Sequence, residues 1–158
     1  MGSIINVSEI VEFAVRIEQN GFKFYIESIK KLSDDRLVKL FQFLADEEFK
    51  HEETFKHLLT KVGTYIPHET YPGEYEAYML DFLKTHALAN EAALKERLNS
   101  IKTVADAVEV ALSFEKDSII LFTMLKKYVD DKNKPLVESI IQEEVAHIFK
   151  ITQYRQGK

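Results

Sequence analysis

Four segments of this chain carry apolar residues at the 3–4 spacing of a helix, and each stripe is interrupted at its middle by a glutamate. The first stripe is Val11, Ala14, Glu18, Phe22, Tyr25, Ile29 and Leu32; the second is Leu37, Phe41, Leu44, Glu48, His51, Phe55 and Leu58. The third is Val104, Val108, Ala111, Glu115, Ser118, Phe122 and Leu125; the fourth is Val137, Ile140, Glu144, His147, Ile151 and Tyr154. A stripe of this period is the core face of an amphipathic helix. Four such faces can close on one another as a bundle, and that bundle then has to accommodate four carboxylates in its core.

The punctuation supports four long helices. Only 5 Gly and 3 Pro occur in 158 residues. The first helix is expected over 7–32, opened by Asn6 or Ser8, with Asn6 and Glu9 spaced as a capping box. The turn 33–35 (Ser-Asp-Asp) starts the second, which runs to about Lys61 with Gly63 as its stop signal. Thr103 and Asp106 mark the start of the third, which ends near Val129, and Pro135 suits the first turn of the fourth. The stretch 63–102 contains Pro67 and Pro72 and is too long to be a structureless loop, so one or two short helices are expected there. A connection of that length can cross a bundle from end to end.

The chain also repeats itself. Residues 16–32 align with 113–129, and "DEEFKHEETFK" echoes "QEEVAHIFKIT"; 30 positions separate Glu18 from Glu48 and 29 separate Glu115 from Glu144. One helix pair is used twice, which predicts a pseudo-twofold bundle forming a single domain over 1–158.

Composition narrows the chemistry. Zero cysteines removes disulfides, thiolate zinc sites and iron–sulfur clusters, so any metal must be held by carboxylate and imidazole. The net charge of −5 and the lack of a basic stripe argue against nucleic acid. No apolar run reaches membrane-spanning length and no secretory pattern is present, so a cytoplasmic location without membrane association is expected.

Glu and His three residues apart share a helical face, with Cβ atoms about 5–6 Å apart, and can share a cation. Four unpaired buried carboxylates would each cost several kcal/mol even after relaxation. They can take up protons, or two divalent cations can supply +4 against −4 while neutral imidazoles complete the coordination. The recurring order Glu, Glu-x-x-His, Glu, Glu-x-x-His favours the binuclear metal site. Glu47, Glu52, Glu53 and Glu143 read as solvated face, and His57, His68 and His86 as surface or packing residues.

This arrangement resembles the ferritin-like di-iron carboxylate proteins, in which two helices each give a Glu and two give a Glu-x-x-His. Through "AVRIEQNGFKFY" and "LADEEFKHEETF" it is most similar to the rubrerythrin group. The resemblance implies an all-α, ferritin-like four-helix bundle with a long crossover connection, holding two Fe ions, with Mn or Zn as possible substitutes. It implies Glu18 and Glu115 as terminal carboxylates, Glu48 and Glu144 as bridges, and His51 and His147 as one ligand to each iron. Tyr25 matches a tyrosine near the rubrerythrin centre, and as an auxiliary catalytic residue it could bond to Glu144 across the bundle; a plain core aromatic is the alternative. Two departures stand out. No cysteine-bearing rubredoxin domain is present, and Ser118 occupies a position where rubrerythrin has a further glutamate that exchanges with a histidine on redox change. The segment after His147 is too short for a fifth helix, so a storage cage is not expected.

The function this resemblance implies is reduction of hydrogen peroxide by a non-haem di-iron oxidoreductase, in defence against oxidative stress. A separate electron donor such as a rubredoxin would restore the iron, and a homodimer is expected. The alternatives are a ferroxidase using peroxide or dioxygen and a non-enzymatic iron-handling protein. A di-iron hydroxylase would need an apolar pocket beside the metals.

Overall fold

The structure, a computed structural model, describes residues 6–63 and 74–158. Among them are six helices and no strand: α1 (Val7–Ile29), α2 (Asp35–Leu59), α3 (Glu74–Thr85), α4 (Glu91–Ser100), α5 (Val104–Tyr128) and α6 (Lys134–Arg155). The four long helices form the expected all-α bundle. Pro67, Pro72 and His68 lie outside the described residues.

The helix ends follow the local chemistry. The Asn6 side chain accepts from the Glu9 backbone N–H, and the Glu9 carboxylate accepts from the Asn6 N–H, so two otherwise unpaired donors are satisfied reciprocally. Thr103 and Asp106 repeat the device at α5, and Asp34 caps α2 through the Leu37 N–H. Asn133 makes no side-chain cap on α6, where Pro135 in the first turn lacks the N–H that would need one. Gly63 adopts a φ of 49°, the left-handed conformation a helix stop requires, just beyond α2.

The side-chain contacts give the topology. Ser8 donates to the Gly63 carbonyl, so α2 ends beside the start of α1. Lys31 donates to the Leu98 carbonyl, so α4 ends, and α5 begins, at the opposite end of the bundle. The connection therefore crosses the bundle from end to end, and both of its described helices lie along that crossing. Arg36, at the start of α2, donates to the Lys158 carbonyl, which puts the close of α6 at the same end as the start of α2. The pairs α1·α2 and α5·α6 are each antiparallel and in extensive contact; α1·α5 and α2·α6 close the square, leaving α1 and α6 on a diagonal.

The second stripe is buried along its whole length. The first is not. Phe22 is only half-buried, while Gly21 and Phe24 are buried instead, because α1 is flanked by α2, α4 and α5 and buries a wider arc than one stripe. Gly21 marks a close approach: a Cβ there would run into the Phe114 ring of α5.

Candidate metal centre

Each long helix places its central glutamate at the same height. Glu18, Glu48, Glu115 and Glu144 have no exposed surface, and His51 and His147 are 2% exposed. One ligand atom each from Glu18, Glu48, His51 and Glu144 lies within 4.8 Å of the other three. Glu48, Glu115, Glu144 and His147 form a second group on the same criterion, so Glu48 and Glu144 belong to both. The structure thus brings together all six residues picked out by the stripes.

The orientations converge on the cluster. His51 Nδ1 lies 2.9 Å from Glu144 Oε1, 3.5 Å from Glu48 Oε2 and 4.0 Å from Glu18 Oε2. His147 Nδ1 lies 3.2 Å from Glu144 Oε2, 3.3 Å from Glu115 Oε2 and 3.5 Å from Glu48 Oε1. The two rings stack with centroids 5.6 Å apart and planes 22° from parallel. Both oxygens of Glu18, both of Glu48, Oε1 of Glu144 and Nδ1 of His51 crowd together without a well-aligned hydrogen bond between them. Buried acceptors without donors are costly. This donor set, hard carboxylate oxygens plus two imidazoles aimed inward, fits divalent iron, manganese or zinc.

The environment divides the acids. Burial, reinforced by the Glu48 carboxylate, pushes Glu18 well above the usual carboxylate range. Burial and the Glu144 charge push Glu115 up to about 8. Glu48 and Glu144 are held below their ordinary value in spite of burial, because a neighbouring acid and both imidazoles bond to them. Burial alone would depress His51, yet Glu144 and Glu48 push it up to about 11; His147 is raised likewise by Glu115 and Glu144 against its own burial.

Tyr25 corrects one expectation. Its hydroxyl donates to Glu115 Oε1 at 2.5 Å, not to Glu144. The reason is topological, since α5 is the neighbour of α1 and α6 lies on the diagonal. Burial and the Glu115 charge keep the phenol protonated, well above its usual range.

Two acids read as solvated face also need correction. Glu52 is 7% exposed and accepts from Gln19 Nε2 at 2.9 Å across the α1·α2 contact and from Lys56 Nζ at 2.7 Å. Glu143 has its side chain 48% exposed, but its Oε2 lies 2.7 Å from His51 Nε2. The sequence marks position 143 only in that a second glutamate precedes the Glu-x-x-His motif in both halves, which does not by itself tell what that glutamate bonds to.

His57 is exposed. His86 is 5% exposed; its Nδ1 accepts from the Leu88 N–H at 3.1 Å, which leaves Nε2–H to donate to Ser118 Oγ at 3.2 Å. Burial takes its pKa down to about 3, so it is a neutral packing residue.

The family model for Rubrerythrin matches residues 9–151. A crystal structure from Thermotoga maritima, described as a ferritin-like diiron-carboxylate protein, is similar with a TM-score of 0.69 and 25% identity, covering 100% of both chains. No curated protein matches significantly. A six-residue carboxylate–imidazole cluster inside a bundle of this topology, matched over nearly all of its length, places the chain in the rubrerythrin family.

Proposed function

We propose that the cluster holds two iron ions and that the protein reduces hydrogen peroxide with electrons from a separate donor protein. The observation that carries this reading is the sharing of Glu48 and Glu144 between two four-residue groups. On this reading Glu18 and His51 would hold one ion, Glu115 and His147 would hold the other, and Glu48 and Glu144, common to both groups, would serve both. Two ferrous ions would supply the two electrons that, with two protons, convert one hydrogen peroxide to two waters.

The residues of the chain have defined tasks here. The four carboxylates balance the charge of two divalent cations, and the imidazoles add neutral donors. Tyr25 holds Glu115 by one oxygen and leaves Oε2 facing His147. Leu44, Ala111 and Ile140, one turn from the ligands, are buried and keep water from that side of the cluster. Two described cavities, of about 340 and 250 Å³, are lined by residues around Asp34, Arg36 and Tyr154, none of them a member of the cluster. They are not the substrate pocket a hydroxylase would place beside the metals.

The test begins with protein from metal-limited native expression, because overproduction favours zinc by simple affinity order. Elemental analysis should give about two irons per chain. Anaerobic stopped-flow mixing of the ferrous protein should show faster oxidation by peroxide than by dioxygen, consuming about one peroxide per two irons. A rubredoxin-like donor should then restore the ferrous state. Faster reaction with dioxygen, with ferric iron accumulating well beyond two per chain, would replace this reading with ferroxidase action.

A further inference from the structure

We propose that the two metal positions are unequal, the His51 position filling first because Glu143 positions its imidazole, while Lys50 withholds the matching carboxylate, Glu47, from His147. The inference rests on reading the cluster as a pair of metal positions. It goes further by assigning an order of filling and two residues outside the ligand set that impose it.

The internal repeat makes the comparison direct. Glu143 precedes Glu144 as Glu47 precedes Glu48, and Ala146 stands where Lys50 stands in the other half. In a strictly twofold bundle each of these outer glutamates would cross to the histidine of the opposite helix. Glu143 does so, with Oε2 2.7 Å from His51 Nε2. Glu47 does not; its Oε1 accepts instead from Lys50 Nζ at 2.5 Å, one turn along the same helix. Ala146 offers no such cation, so Glu143 is left to cross. Among the described residues no carboxylate accepts from His147 Nε2, and the nearest described aromatic neighbour besides His51 is the edge of Phe43, 6.3 Å away between centroids.

The consequence follows from imidazole chemistry. A carboxylate on Nε2–H holds that proton in place, so the proton that leaves for a cation is the one on Nδ1, the atom that faces Glu144, Glu48 and Glu18. It also locks the ring rotation, so binding a cation orders nothing further. Losing such a partner typically lowers metal affinity about 10–100-fold. His147 has the same Nδ1 orientation without that anchor, so its ring must be ordered when a cation binds.

Metal-free protein should be titrated anaerobically with Co(II), followed by calorimetry and by proton NMR of the paramagnetically shifted imidazole protons. Wild type should bind two Co(II) in steps separated by about 10–100-fold. The first equivalent should bring out a slowly exchanging imidazole N–H, that of His51. Glu143→Ala should weaken the first step by about the same factor and abolish that signal. Glu143→Gln should restore both, since its carboxamide oxygen accepts the same N–H. Lys50→Ala should tighten the second step and leave the first in place. Two equal steps in wild type, equal weakening of both steps by Glu143→Ala, or a second step unmoved by Lys50→Ala would each overturn the proposal. No Co(II) uptake at all would overturn the metal reading itself, an outcome distinct from equal uptake.

Discussion

Loading the cluster with metal should release close to four protons per chain near pH 7. Glu18, raised well above the carboxylate range, and Glu115, at about 8, are both protonated there. Glu48 and Glu144 are ionised, and His51, at about 11, and His147 are imidazolium. Two negative and two positive groups sum to zero, so the metal-free cluster balances its own charge by carrying four protons. Two divalent cations instead require four carboxylates and two neutral imidazoles, and all four protons must leave. Each released proton makes the apparent binding constant fall about tenfold per unit of acidification, so affinity should drop about 100-fold per ion per pH unit below neutrality. Calorimetry of anaerobic Co(II) binding in buffers of different ionisation enthalpy reads the number directly, as the slope of observed against buffer enthalpy. Release of two protons or fewer would refute the reasoning, since it would mean that the buried acids are already ionised or that the imidazoles are neutral beforehand.

The same groups set the stability of the metal-free protein. Glu115 and His51 hold protons in the fold that the unfolded chain gives up, so their stabilisation is full below about 4.5 and 6.5 and is lost as pH rises towards about 8 and about 11. Thermal melts of metal-free protein should therefore show a higher midpoint near pH 5.5 than near pH 9 by about a few degrees or more; the reverse order would contradict the assignments. Glu48→Ala or Glu144→Ala should lose more bound metal than Glu18→Ala by elemental analysis, because each serves both groups. Gly21→Ala gains about 1 kcal/mol of helix propensity but drives a methyl into Phe114, an overpacking that costs about 1–3 kcal/mol where the ring cannot move. Tyr25 and His86 both lie edge-on to that ring, so the melting point should fall; a rise would show that α1 and α5 can separate freely.

Much of the centre was legible in the sequence because a buried charge is conspicuous on an apolar stripe. Glu48 and His51 interrupt a stripe that the structure buries from Leu37 to Leu58, so spacing alone placed them. The first stripe read less well at Phe22, because α1 contacts three helices and a single 3–4 row cannot express an arc that wide. The partner of Tyr25 differs from the expected Glu144 for another reason: periodicity gives the height and face of a side chain but not which neighbour stands beside it. Glu115 and Glu144 sit at one height, and only the order of helices around the bundle decides between them. Glu143 and Glu52 belong to a third kind. Both lie at the edge of the core, where a residue is solvated or bonded according to contacts from another helix that its own helix does not encode.

The position one turn beyond each terminal carboxylate ties these observations together. Glu18 is followed by Gly21 and Glu115 by Ser118, the same offset in the two halves of the repeat. Neither residue is large enough to fill the core there, and the structure fills it from outside the helix in both cases. Phe114 lies over Gly21, and His86 lies against Ser118 and edge-on to Phe114 at 5.8 Å. The missing carboxylate at 118 is therefore part of a packing solution: the hydroxyl accepts from a neutral histidine whose other nitrogen is tied to the Leu88 N–H. A glutamate side chain at 118 would need the volume that His86 occupies and would put a fifth acid beside a cluster already balanced at four. The crossing connection, which supplies His86, breaks the twofold pattern on one side only. The ligands keep the symmetry of the repeat, and the surroundings of the two halves depart from it.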